Sequence, residues 1–117
     1  MRTAALVLSA LLGLSMAFSA AGKLRRDPKI IAIMEHVGLN AGQIKALALT
    51  ELAATVGLLS TSWLPTLGLA AAIGSILYFA GAVIAHSRKH DPIADVAPAV
   101  FLTVVAAATA YLISAGS

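Results

Sequence analysis

The sequence predicts an all-α membrane protein, a bundle of four transmembrane helices with a short interfacial amphipathic helix between the first and the second. The chain has 117 residues, of which 60% are apolar and only 11% charged, and its mean hydropathy is +0.94. Soluble domains carry about 25% charged residues. Four apolar runs, each long enough to cross a bilayer as a helix, are separated by short polar connections. We therefore expect a single transmembrane domain over residues 1–117 and no soluble domain.

The first span is predicted over residues 3–22, a run without a charged side chain. As a helix this run is about 30 Å long, which matches the hydrocarbon core of a bilayer. A secretory signal peptide is the alternative, with Arg2 as its basic start and Ser19 to Ala21 as its cleavage region. We favour a retained helix, because cleavage would leave a three-span protein whose positive connections still need orienting. The sequence leaves open whether the native host removes residues 1–22.

A short amphipathic helix is predicted over residues 28–37, within the first charged connection. Asp27 followed by Pro28 is typical of a helix cap and a first helical residue, and Gly38 is a natural helix stop. The apolar side chains fall within about 160° of arc at 100° per residue: Ile30, Ile31, Ile33, Met34 and Val37. The segment is too short to span a bilayer, so we expect it to lie in the interface with its apolar face toward lipid.

The three later spans are predicted from three further apolar runs, at residues 43–60, 64–85 and 92–113. Asn40 and Gln43 resemble a capping box at the start of the second span. Trp63 suits the far membrane interface before the third span. Asp91 and Pro92 repeat the cap-and-proline pattern before the fourth. The chain therefore crosses the membrane four times.

Small residues recur in the third span at spacings that favour close helix packing. The pairs are Gly68 with Ala72, Ala71 with Ser75, and Gly74 with Gly81. We interpret them as packing positions within the bundle rather than as a ligand groove. The same faces are compatible with association of several copies of the chain.

The charged residues predict an orientation. Seven of the eight Lys and Arg residues lie in the two connections at one end of the bundle, and Arg2 lies at the other. The positive-inside rule places both connections in the cytoplasm and both termini outside, in a bacterial-type inner or plasma membrane. Positive clusters beside apolar runs indicate topology rather than a nucleic-acid partner. The absence of cysteine excludes disulfides, thiolate metal sites and a Cys nucleophile.

The candidate functional residues share the end of the bundle that carries the charged connections. Glu51 lies inside the second span, where an ionisable group is costly and usually faces a partner, a cavity or a pathway. Lys23 ends the first span, His86 ends the third, and Asp91 and Asp95 begin the fourth. We expect Glu51 to pair with Lys23 or His86. Either the pair only fixes helix register, or Glu51 and His86 line a cytoplasmic cavity that binds a polar head or relays a proton.

Other chemical signals in the sequence are weak. His36, His86 and His90 do not have the close spacing of metal ligands, so we predict no metal site. No nucleophile elbow and no glycine-rich phosphate loop is present. Tyr78 and Tyr111 are isolated and are interpreted as packing or interface residues. The chain holds no recognisable catalytic set, which favours a protein that is not an enzyme.

The chain resembles the DoxX-like family of small four-helix membrane proteins over nearly its whole length. The matching motifs are Ala21-Gly22-Lys23-Leu24, Glu51-Leu52, and Ala85-His86 shortly before Asp91. The resemblance implies a compact four-helix bundle. Founding members are linked to thiosulfate:quinone oxidoreductase subunits, and relatives act as cargo receptors, receptor-assembly chaperones or maturation factors. No catalytic residue is common to the family, so none is carried over. Because the chain has no cysteine and no recognisable redox-cofactor ligands, we do not expect it to carry out sulfur chemistry. Quinone docking beside a partner is compatible with the sequence.

Three functional hypotheses follow. The leading one is a small accessory membrane protein that binds a partner membrane protein, or a lipophilic ligand such as a quinone or lipid. Its contacts would be Lys23, Glu51, His86 and Asp91 at the cytoplasmic end, and no other cofactor is evident. The second is a proton-coupled exporter using Glu51, although the small multidrug transporters that it resembles carry their glutamate in the first helix. The third is a membrane isomerase or oxidoreductase subunit with Glu51 and His86 as acid and base.

Overall fold

The computed structural model describes residues 2–116, apart from the side chain of Asp95. These residues form five helices and contain no strand. The helices are α1 (Arg2–Leu24), α2 (Pro28–His36), α3 (Ala41–Leu59), α4 (Pro65–Arg88) and α5 (Ile93–Gly116). Helices α1, α3, α4 and most of α5 are long and apolar enough to cross a membrane, whereas α2 is a single short helix. The predicted fold class is confirmed; the limits of the spans within the bilayer and the single-domain assignment stay predictions.

The four long helices form a closed ring in which every neighbour runs in the opposite direction. Helix α1 packs on α3, α4 packs on α5, and the two pairs meet along α1–α5 and α3–α4. The Arg2 guanidinium donates to the Ser62 carbonyl over 3.2 Å, so the start of α1 lies beside the α3–α4 turn. The short connections impose this arrangement, because they can join only ends that lie on the same side of the bundle.

The core of the bundle is a narrow column of aliphatic, sulfur and small side chains. Its fully buried members include Leu12, Met16, Leu58, Ala72 and Ala106. Large apolar side chains also cover the outside: Phe18 is 80% exposed, Leu77 70% and Val104 62%. A soluble protein of this size does not expose so much contiguous apolar surface. The outer surface therefore suits acyl chains rather than water.

The predicted helix caps of α2 and α3 are present. The Asp27 carboxylate accepts the Lys29 amide at 3.0 Å at the start of α2. At the start of α3, Asn40 and Gln43 form a reciprocal capping box with both bonds at 2.9 Å. Gly38, with φ at +93°, follows the end of α2 as the sequence predicts. These local signals keep α2 separate from both α1 and α3.

The seam between α3 and α4 depends on two glycines. A methyl group added to Gly57 would come within 2.8 Å of the Ala71 Cβ, and one added to Gly68 would collide with Thr61. Ala72, one turn after Gly68 on α4, is fully buried in the core. Around Gly74, by contrast, nothing lies within 4 Å of an added Cβ. The predicted packing role therefore fits Gly68 and Ala72 but not the pair Gly74 and Gly81, since an added Cβ at Gly81 would also meet nothing within 4 Å.

Replacing Gly68 with alanine should lower the free energy of unfolding by about 1–3 kcal/mol, the usual cost of overpacking. The added methyl meets the backbone of Thr61, with its Cα at 3.1 Å, and not merely the tip of a flexible side chain. The matched control is G74A on the same helix, which adds the same methyl group in open space. SDS titration of both variants in mixed micelles, followed by circular dichroism, measures the difference. Equal stability of the two variants would contradict the proposed seam.

Candidate functional site

A buried ion pair joins α1 to α3. The Lys23 ammonium donates to Glu51 Oε1 over 2.6 Å, and the two side chains are only 5% and 1% exposed. The ammonium also donates to the Ser19 hydroxyl, one turn back on α1, at 2.7 Å. Each charge thus has a partner inside the apolar bundle, where an unpaired ion would be very costly. Of the two partners that the sequence offered for Glu51, the structure selects Lys23.

A second polar link lies one turn deeper between the same two helices. The Thr55 hydroxyl lies 3.0 Å from the Gly13 carbonyl on α1 and 2.9 Å from the Glu51 carbonyl on α3. Thr55 is itself almost completely buried. Together with the ion pair, this contact fixes the position of α1 along α3 at two levels.

Tyr78 on α4 lies near Glu51, close enough for its phenol to interact electrostatically with the carboxylate. The polar centre is therefore built from three helices, with Lys23, Glu51 and Tyr78 as its members. Sequence reasoning treated Tyr78 as an isolated packing residue and missed this contact. A signal was available, because Tyr78 lies three residues after Ser75, which the sequence predicts as a packing position.

A separate polar cluster ties α2 to the turn between α4 and α5. Asp91 Oδ2 lies 2.7 Å from His86 Nδ1, and Asp91 Oδ1 lies 2.7 Å from His36 Nε2. A carboxylate only accepts, so both ring nitrogens carry the proton and donate. The hydrogen bond from His86, then that from His36, holds the pKa of the Asp91 carboxyl below its usual range. His86 thus bonds to Asp91 rather than to Glu51, and the predicted polar group consists of two clusters. The side chain of Asp95 lies outside the described part of the chain.

An apolar groove separates the two clusters. It has a volume of about 360 Å³ and is lined by residues of α2, α3 and α4 together with the segment after α2. Most of its wall is aliphatic, including Met34, Leu47 and Ala82, and its polar members are Tyr78 and His86. Tyr78 therefore lies near Glu51 and also borders the groove, while His86 is hydrogen-bonded to Asp91 and borders it as well. The groove therefore lies between the two clusters, and neither Lys23 nor Glu51 is part of its wall.

The described residues contain no group of three or more His, Cys, Asp or Glu side chains arranged to hold a metal ion. The two imidazoles around Asp91 are hydrogen-bond donors to a shared carboxylate, and one of them, His36, is 55% exposed. The two imidazoles and their shared carboxylate therefore link α2 to the turn before α5.

Comparison with known proteins identifies one family. The model described as the DoxX-like family matches residues 7–108. The matched segment includes parts of all four long helices and each of the residues Lys23, Glu51, Tyr78, His86 and Asp91. No curated protein and no solved structure shows a significant match to the chain.

Removal of the Lys23 ammonium should destabilise the bundle more than removal of an exposed charge does. In K23M the Glu51 carboxylate is left buried without its partner, and breaking such a pair costs about 3–5 kcal/mol. The double variant K23M/E51Q removes both charges and should recover at least about 1 kcal/mol of that loss. K89M, which removes a cation from an exposed position, is the control and should stay within about 0.5 kcal/mol of the parent. Strictly additive effects in an SDS-unfolding double-mutant cycle would exclude the coupling.

The attachment of α2 should depend on the ionised form of Asp91. Because the pKa of Asp91 is lowered in the folded protein, the stabilisation is complete above the ordinary aspartate pKa of about 3.9 and is lost as the pH falls through the lower folded-state pKa. The chain has no cysteine, so spin labels can be placed cleanly at I33C and K89C. The distance between the labels should be narrow at neutral pH and broaden in strong acid. In D91A the distance distribution should be broad at both pH values. A narrow distribution in the parent that does not change with pH would refute the dependence.

Proposed function

The chain belongs to the DoxX-like family and is an integral membrane protein, and we propose that it is a small accessory protein that binds a lipophilic molecule with a hydroxyl-bearing head. One observation carries this proposal: an apolar groove of about 360 Å³ whose polar wall residues are Tyr78 and His86. Its size falls in the usual range for small-molecule sites, about 300–1,000 Å³. A groove with aliphatic walls and a few convergent polar groups suits a ligand that reaches it from the bilayer.

The hydrogen-bond inventory of the two polar residues indicates which head group fits. The Tyr78 hydroxyl lies near the Glu51 carboxylate; with its proton directed to that carboxylate, its oxygen would be left as an acceptor for a ligand. His86 donates from Nδ1 to Asp91, so Nε2 of the neutral ring is also an acceptor. Two acceptors at the wall of an apolar groove favour a ligand that donates O–H groups. A quinol is such a ligand, and so is a lipid alcohol.

In this proposal the buried ion pair positions the site and does not touch the ligand. Lys23 and Glu51 are almost fully shielded, and the Glu51 carboxylate orients the Tyr78 hydroxyl. An exporter that uses Glu51 for proton coupling would have to break a 2.6 Å ion pair with Lys23 in each cycle. An isomerase with Glu51 and His86 as acid and base would need two groups that are already bonded to other residues. Ligand binding requires neither change.

The orientation is part of the proposal. The positive-inside rule places the charged connections, and with them the groove, at the cytoplasmic side, with both termini outside. A ligand held there would be available to a larger membrane complex at the inner leaflet. The accessory role would then be to hold the ligand beside such a partner.

Blocking the groove tests the proposal. The probe is a radiolabelled short-tailed benzoquinol, bound at equilibrium to the protein in nanodiscs, with empty nanodiscs subtracted. G81L projects a side chain into the groove from α4, and we expect at least tenfold weaker binding. G74L is the matched control: it lies two turns, about 10 Å, along the same helix, also in open space. Equal binding by both variants and the parent would sink the proposal.

The polar contacts need their own test. Y78F removes an acceptor without changing the shape of the ring and should weaken quinol binding by about five- to tenfold, the worth of one hydrogen bond. Y111F, on the exposed face of α5, is the control and should bind like the parent. The dimethyl ether of the same quinol has no O–H donor, so it should bind the parent more weakly. That difference should shrink in Y78F/H86A; a difference that persists undiminished would mean that these two residues do not read the head group.

A further inference from the structure

A second cleft lies where α1 ends and α3 begins, apart from the groove described above. Its volume is about 390 Å³. Three cations line it, Lys23, Arg26 and Lys45, together with the apolar residues Leu24 and Ile44. No acidic residue is part of its wall. The proposed function does not use this cleft, and its wall shares no residue with the groove.

The positive charge of the cleft is not cancelled within the described part of the chain. Lys23 is neutralised by Glu51. Arg26 and Lys45 are exposed and take part in none of the ion pairs among residues 2–116. The nearest carboxylate along the chain, Asp27, accepts a backbone amide as the cap of α2. Two exposed cations therefore line one cleft without an ion-pair partner among residues 2–116.

Local backbone structure places Arg26 at the cleft. The Asp27 amide donates to the Gly22 carbonyl at 3.0 Å and the Arg26 amide to the Lys23 carbonyl at 3.1 Å, which closes α1 as a Schellman motif. Arg26 takes the left-handed position of that motif, with φ at +56°. Glycine is the usual residue there because other side chains are strained. The sharp turn directs the chain away from α1 and leaves the Arg26 side chain beside the start of α3.

The first turn of α3 adds donors to the same cleft. The Asn40 side chain accepts the Gln43 amide, which leaves the amides of Ala41 and Gly42 without an acceptor inside the helix. Gly42 lines the cleft and has no side chain to cover these amides. The positive end of the helix dipole supports an anion at this position, although it would not make a site without the two cations.

We propose that this cleft binds the phosphate of an anionic phospholipid. The phosphate would lie between Arg26 and Lys45, and the acyl chains would run along Leu24, which is 43% exposed at the rim. A lipid is favoured over a soluble phosphate because the cleft lies at the ends of two helices that can span a membrane. Basic residues at such a level attract anionic headgroups, at about 1 kcal/mol per cation.

Lipid retention measured by native mass spectrometry tests the proposal. Phosphatidylglycerol is titrated into the full chain in a neutral detergent, and phosphatidylcholine is titrated in parallel. We expect one phosphatidylglycerol to bind at least tenfold more tightly than phosphatidylcholine. R26Q/K45Q should weaken it by about 30-fold, about fivefold per cation. The matched control R88Q/K89Q removes the same charge at the second connection and should change it less than threefold.

Each alternative outcome is informative. Equal losses of phosphatidylglycerol binding in the two double variants would show general electrostatic attraction rather than a site. Equal binding of phosphatidylglycerol and phosphatidylcholine would show that the cleft does not recognise the headgroup charge. Either result overturns the proposal. Inorganic phosphate is added as a competitor, and displacement of the lipid at millimolar concentration would assign the cleft to a free anion instead. R26G is the safeguard against misfolding, because glycine suits the left-handed backbone at this position. It should still weaken phosphatidylglycerol about fivefold, and unchanged binding would count against the proposal.

Discussion

The structure depends on the burial of one carboxylate inside an apolar bundle. Glu51 cannot face lipid as an ion, so it pairs with the Lys23 ammonium from α1, and Tyr78 from α4 lies near the same carboxylate. These contacts constrain three helices at one level. Apolar packing alone would allow α1 to slide or rotate against its neighbours at little cost, because lipid solvates aliphatic side chains as well as protein does. Our interpretation is that the ion pair specifies the register of α1 on α3 more than it adds stability.

The remaining polar groups follow from that constraint. Tyr78, which lies near Glu51, forms part of the wall of the groove, and His86 is the other polar residue in that wall. His86 is held in turn by Asp91, and Asp91 also holds His36 on α2. Helix α2 makes few contacts with the long helices, so this shared carboxylate is an important part of its attachment. The polar centre formed by Lys23, Glu51 and Tyr78 therefore positions one wall of the groove. The cluster around Asp91 positions α2, which forms part of another wall.

Basic residues at the same end act in two ways. Lys23 forms an ion pair with Glu51 inside the bundle, whereas Arg26 and Lys45 stay exposed at the ends of the apolar helices. The first kind of cation stabilises a buried charge, and the second kind is available to the headgroup region of the bilayer. With the lipid site proposed above, a small chain would use its few charges both for internal order and for contact with an anionic lipid.

The sequence by itself determined the four apolar helices, the short helix between the first two, the caps at Asp27 and Asn40, and the level of Glu51. These features depend on composition, on periodicity and on neighbours within four residues, which are local quantities. Only the tertiary structure decided that Glu51 pairs with Lys23 and not with His86, that Tyr78 reaches the same carboxylate, and that His36 joins Asp91. The physical reason is that such contacts depend on how far each helix is rotated about its axis and which helices are adjacent in the ring. Many small-residue faces are compatible with several such arrangements, so the pattern along the chain does not choose among them.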